Sequence, residues 1–168
     1  MKQLQLSNLK LKTFTEQDIL DYCQINNINP DKITILYLDD NQLTDISGVK
    51  LFKNLTELYL WNNRLKNISV LRNLINLKNL WLNDNKLTDI SLLSNLKNLK
   101  ELYLGNNQII DISVIQYFTE LKELNIKNLL LESYQFQYIK SLKKLKELWC
   151  KNGFKDMSIV KHKGKIFK

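Results

Sequence analysis

The sequence predicts an α/β solenoid: a right-handed spiral of short repeated units whose strands form one parallel, concave sheet of about six strands. Leucine returns every 22 residues, at Leu36, Leu58, Leu80, Leu102 and Leu124. Two residues after each stand Leu38, Leu60, Leu82, Leu104 and Ile126, and five after the first four stand Asn41, Asn63, Asn85 and Asn107. A fixed period of this length is the mark of a stacked-repeat architecture, and stretches such as LTELYL alternate in the manner of half-buried strands. At 168 residues the chain can bury a sizeable core, while four Gly and one Pro leave no room for a flexible linker. One domain is expected over residues 1–168, with an N-terminal cap at 1–32, repeats at 33–157 and a short C-terminal cap hairpin at 158–168.

Taken in order, residues 15–28, TEQDILDYCQINNI, open with Thr15 and Asp18 at capping-box spacing and carry Ile19, Leu20 and Cys23 toward one face. That predicts a helix covering the open core of the first repeat. Ahead of it, LQL and LKL on either side of Ser7-Asn8 suit a short hairpin. Each repeat then offers seven apolar side chains, for example Leu55, Leu58, Leu60, Leu65, Ile68, Leu71 and Leu74. One unit cannot enclose them, but stacked units share a column in which each buried Leu or Ile contributes roughly 1.5–3 kcal/mol. The Asn column falls where the chain leaves the strand, and an amide serves both the buried donors and the buried acceptors of such a turn. After it come Asp45, Asn67, Asp89 and Asp111, then Ser47, Ser69, Ser91 and Ser113, the serines expected to cap a short helical or 3₁₀ turn on the convex side. The fifth unit is irregular. Asn128 stands one residue early, and the step from Leu124 to Leu148 is 24 residues, so ESYQFQYIKSLKK should form a longer, more helical convex segment. The sixth unit keeps Leu148, Asn152, Phe154, Asp156 and Met157, and SIVKHKGKIFK reads as the terminal hairpin.

Consecutive copies of L-x-x-L-x-L-x-x-N-x-L followed by D-I-S resemble the leucine-rich repeat family, in the 22-residue form of internalins and of phosphatase-regulating repeat proteins. The resemblance runs over about residues 33–157, three quarters of the chain.

In a parallel stack, the positions one before, one after and three or four after the repeat's leucine line the concave surface. They are Ile35, Tyr37, Asp39 and Asp40; Glu57, Tyr59, Trp61 and Asn62; Asn79, Trp81, Asn83 and Asp84; Glu101, Tyr103, Gly105 and Asn106; Glu123, Asn125, Lys127 and Asn128; and Glu147, Trp149 and Lys151. The column after the leucine holds five aromatics in six places. The face carries seven acids against two lysines, a net of −5 on a chain whose formal charge is +8. Tyr and Trp dominate interface hot spots, and a contiguous exposed aromatic surface is otherwise a liability. Tyr37, Asp39, Asp40, Glu57, Tyr59, Trp61, Asn79, Trp81, Asn83, Asp84, Glu101, Tyr103, Glu123, Asn125, Glu147 and Trp149 are therefore the expected partner-binding residues.

An acidic, aromatic face suits a protein partner with a basic surface and disfavours nucleic acid there. A stand-alone inhibitor or adaptor, for instance of a basic nuclease or an immune effector, fits this reading. One alternative is an internalin-like surface or secreted adhesin; another is nucleic-acid binding through the lysine-rich convex and C-terminal surface. No enzyme is expected: His162 is the sole histidine, no Cys or Ser has a base arranged by spacing, and no metal-ligand spacing or glycine-rich phosphate loop occurs. Neither a cofactor nor a metal is implied. The opening MKQLQLSNLKLKTF lacks an apolar run, which favours a cytoplasmic monomer in which Cys23 and Cys150 are reduced and buried.

Overall fold

The computed structural model describes residues 2–150 and the backbone of residues 165–167. Eight three-residue strands form one sheet in sequence order: β1 (Gln3–Gln5), β2 (Ile35–Tyr37), β3 (Glu57–Tyr59), β4 (Asn79–Trp81), β5 (Glu101–Tyr103), β6 (Glu123–Asn125), β7 (Glu147–Trp149) and β8 (Lys165–Phe167). Every neighbouring pair is parallel. The repeat sets the register, Leu36 opposite Leu58, Leu58 opposite Leu80, and onward to Leu148. The six expected strands are β2–β7, and the sheet gains one strand at each end.

The interior is a stack of leucines. Leu36, Leu58, Leu80, Leu102, Leu124 and Leu148 are fully enclosed, as are Leu38, Leu60, Leu82 and Leu104. On the convex side the chain makes 3₁₀ turns at Ser47–Leu51, Ser69–Asn73, Ser91–Asn95 and Ser113–Tyr117. The longer fifth unit places a 3₁₀ turn at Ser133–Gln135 and then a short helix, α2 (Phe136–Lys140), as its extra length requires.

The caps of these turns are not the serines. Asp45, Asn67, Asp89 and Asp111 accept the backbone N–H of Ser47, Ser69, Ser91 and Ser113 at 2.7, 2.8, 2.7 and 2.7 Å. A short carboxylate or amide reaches the N–H two residues ahead, which satisfies the opening donor without the hydroxyl.

Each residue of the Asn column links two coils. Asn85 Nδ2 donates to the carbonyls of Leu60, Leu82 and Asn83 at 2.9, 3.0 and 3.3 Å, and its Oδ1 accepts the N–H of Leu65 at 2.9 Å. Asn63 and Asn107 repeat the pattern toward Leu43 and Leu87. Asn128 does not belong to this column. It has φ 61° and continues Asp40, Asn62, Asp84 and Asn106, at 54°, 53°, 57° and 57°, a left-handed position that Asn and Asp tolerate. The next residue, Leu129, takes the column's place, and a buried Gln135 accepts the N–H of Ile112 at 2.8 Å in the adjoining layer.

Residues 3–15 do not fold back as a hairpin. They lie parallel to the first repeat, Gln3 opposite Ile35 and Thr13 bridged to Asp45. Pairing in parallel lets Leu4 and Leu6 extend the core columns of Leu36 and Leu38, and gives Asn41 Oδ1 two donors, the N–H groups of Leu9 and Leu11, both at 3.0 Å. The cap is thus a further coil whose convex segment is α1 (Glu16–Ile25), packed against the turn at Ser47–Leu51. The capping box forms: Thr15 Oγ1 accepts the N–H of Asp18 at 3.2 Å, and Asp18 Oδ2 accepts that of Thr15 at 2.9 Å. Ile19 and Cys23 are buried, whereas Leu20 points outward, being 46% exposed.

At the other end, β8 joins β7 in parallel. The first arm of the expected hairpin, Asn152, Phe154, Asp156, Met157 and His162 lie outside the described residues. Cys23 and Cys150 are unbridged and buried. Among the described residues no helix is long and apolar enough to cross a membrane, and no His, Cys, Asp and Glu cluster suits a metal ion.

Candidate protein-binding face

Side chains alternate along each strand, so the residues flanking the buried leucine emerge together on the concave face. Tyr37, Tyr59, Trp81, Tyr103 and Trp149 do so, all half-buried. Their rings stack, with centroids 4.4 Å apart from Tyr37 to Tyr59, 4.1 Å from Tyr59 to Trp81 and 5.6 Å from Trp81 to Tyr103, at interplanar angles of 18°, 7° and 17°. Asn125 interrupts the column, and Trp149 leans across it, its centroid 5.6 Å from Tyr103 at 35°. Each inner ring has its faces covered by its neighbours. The surface therefore offers ring edges to an incoming molecule.

The preceding column runs Ile35, Glu57, Asn79, Glu101, Glu123 and Glu147, each half-buried. Tyr59 Oη donates to Glu57 at 3.0 Å, and Tyr103 Oη donates to Glu123 on the next coil at 2.8 Å. Burial first, and these bonds second, push both phenols well above the usual tyrosine range. Their phenol protons are thus committed to the glutamates. Glu101, Glu123 and Glu147 stand in register on adjacent strands. Burial, then the charges of Glu123 and Glu57, raises the pKa of Glu101, with Lys122 opposing.

The third column is less uniform than expected. Trp61 and Asn83 are half-exposed, while Asp39 is only 8% exposed and accepts a hydrogen bond from Ser7 Oγ at 2.7 Å. Asp39 is thus spent on the N-terminal coil. Asp40 and Asp84 occupy the left-handed turn position and accept amide N–H groups from Asn62 and Asn106 at 2.6 and 2.7 Å. Backbone geometry accounts for these acids, so the negative charge available to a partner resides chiefly in the glutamate column.

The sequence reading missed one feature beside this face. Lys78, Lys100, Lys122 and Lys146 occupy the position just before each strand, stacked through N–H to carbonyl bonds from Lys100 to Lys78 at 2.6 Å, Lys122 to Lys100 at 2.7 Å and Lys146 to Lys122 at 2.7 Å. The signal was present as LK at the head of four successive units.

A parallel solenoid with one apolar stack and a patterned concave face is a repeat scaffold, the class whose coils serve to display a surface. The chain belongs to the leucine-rich repeat family: the family described as Leucine Rich repeats (2 copies) matches residues 31–73, 53–95 and 75–117, together just over half the chain. Its repeats are internalin-like. Over 99% of its length it resembles an internalin (inlF) of Listeria monocytogenes, at 28% identity and a TM-score of 0.82, and over 94% an internalin C2 (inlC2) of the same species, at 33% and 0.79. It spans 47% and 65% of those two chains. A plant peptide hormone receptor, RGFR1, solved in complex with RGF2, matches 89% of this chain and 24% of its own at 26% identity and a TM-score of 0.67. No curated protein matches the sequence. Leucine-rich repeat proteins are in general protein-binding modules without catalytic activity, and the fold points to protein partners.

Proposed function

We propose that this chain is a non-catalytic module that binds a protein partner with a basic surface through its concave face, acting as an inhibitor or adaptor. The observation that carries the reading is the column of Tyr37, Tyr59, Trp81, Tyr103 and Trp149, ordered by stacking yet half-open to solvent. Cross-strand aromatic pairs stabilise a sheet by a few tenths to about 1 kcal/mol each. Stability alone is an incomplete reason for them, because the leucine stack already supplies it and the rings keep apolar edge exposed. They are rigid before any partner arrives, so little side-chain entropy is lost on binding. The glutamates beside them favour a cationic partner.

The test compares the wild-type chain with a Tyr59→Ala, Trp81→Ala and Tyr103→Ala version as bait in an extract of the native cell. The expected result is a protein captured by the wild type and absent from the triple variant, with unchanged far-UV circular dichroism. A partner retained equally by both would overturn the proposal. The likeness to two internalins favours a second reading, a surface or secreted adhesin. Fractionation separates the two, since an adhesin is recovered from the medium or the cell envelope.

A further inference from the structure

Two stripes of opposite charge run side by side along the coil axis. The first is Glu101, Glu123 and Glu147, in register on β5, β6 and β7. The second is Lys78, Lys100, Lys122 and Lys146, each immediately before the first residue of β4–β7. Like charges directly opposite on neighbouring strands are destabilising, and here both signs are stacked that way. The stripes form no close ion pairs: among the described residues no face glutamate lies within ion-pairing distance of these lysines, Lys122 acts on Glu101 only at longer range, and Lys144 nearby is held instead by Glu120 at 2.6 Å. A polyanion laid on the lysines would lie beside the carboxylates, which argues against nucleic acid. A purely basic surface laid on the glutamates would lie beside the lysines.

We propose that the docking surface is two stripes wide and that its occupant is an amphoteric α-helix of a partner protein, lying along the coil axis with its cationic side chains over Glu101, Glu123 and Glu147 and its acidic side chains over Lys78, Lys100, Lys122 and Lys146. This rests on the concave-face reading above and refines the partner's chemistry. The dimensions agree. At about 4.8 Å per strand the lysine stripe is ~14 Å long, close to three turns of a helix rising about 5.4 Å per turn. The two stripes are adjacent residues, about 3.3 Å apart along the strand, so both lie within the footprint of one helix, about 10–12 Å across with its side chains. The ring edges of Trp81, Tyr103 and Trp149 form the apolar margin on the far side of the glutamates.

The experiment uses fluorescein-labelled, stapled helical peptides of about four turns: one bipolar, with an arginine row beside a glutamate row, one all-basic and one all-acidic, together with an oligouridylate, each titrated by anisotropy. The bipolar helix is expected to bind about three- to tenfold more tightly than the all-basic one, as a few exposed charge pairs allow. A Lys100→Glu, Lys122→Glu variant should erase or reverse that preference. All-basic binding equal to or tighter than bipolar binding would overturn the two-stripe inference and leave the concave-face reading standing. Bipolar binding unchanged by the Tyr59, Trp81 and Tyr103 alanine version would overturn the concave-face reading itself. Oligouridylate binding lost in the lysine variant would reassign the stripe to nucleic acid, and failure of every probe would overturn the inference.

Discussion

Asn85 shows what a single side chain contributes. Its amide satisfies the Leu65 N–H and three carbonyls at a turn that is buried on both sides, and no shorter residue reaches all four. Asn85→Ala should therefore leave several buried groups without partners, at about 1–3 kcal/mol per group where water cannot enter, giving a loss of about 2–4 kcal/mol in urea-unfolding free energy. Glu101 makes a second residue-scale prediction, of pH dependence. Burial, then Glu123 and Glu57, raises its pKa above the ordinary 4.5, so the folded chain binds this proton more tightly than the unfolded one. Its contribution to stability is unfavourable at neutral pH and improves as pH falls through the raised pKa toward 4.5. Glu101→Gln should raise stability at neutral pH and flatten that part of the profile. A steeper stability gain on acidification in the variant would contradict the assignment.

At the scale of elements, α1 tests how local signals serve the stack. The pairing of Thr15 with Asp18 was legible because a capping box is written in four residues. The packing of α1 on the first repeat was legible too, but the role of residues 3–14 as an added coil was not, because it depends on their matching β2 across α1, with no repeat period to mark it. Thr15→Ala should cost about 1 kcal/mol and increase the reaction rate of buried Cys23 with a thiol reagent as the helix frays. Asp18 works in the opposite direction to Glu101: backbone and side-chain bonds with Thr15 lower its pKa from 3.8, so the box supports the fold above that value and loses its effect as pH drops through the lowered one. Gly48 marks the same junction, since a Cβ there would meet the backbone oxygens of Thr15 and Phe14. Gly48→Ala should destabilise the fold by about 1–3 kcal/mol through overpacking, and amide exchange would quicken first in α1 and the Ser47–Leu51 turn.

For the molecule as a whole, the columns were readable wherever the 22-residue period held, and the misreadings fall where it lapses: residues 3–14 and the fifth unit around Asn128 and Gln135. The concave rings were placed from alternation alone, whereas their face-to-face stacking was not, because ring orientation depends on neighbours 22 residues away. The burial of Asp39 depends on Ser7, 32 residues away, and lay equally beyond the pattern. If stability is a sum of coils and their contacts, one whole coil should be removable. Excising residues 77–98 joins Asn76 to Leu99 and preserves every column: Lys100 replaces Lys78 as the donor to Thr56 O, Asn107 replaces Asn85 beneath Leu65, and Tyr103 meets Tyr59 in place of Trp81. The shortened chain should fold cooperatively, with a lower unfolding midpoint and an m-value reduced in rough proportion to its length. It should also bind any helical partner more weakly, since the lysine stripe falls from four residues to three. An excised chain that is unfolded by circular dichroism at low temperature would show that the coils are not interchangeable and that stability is concentrated in the coil removed.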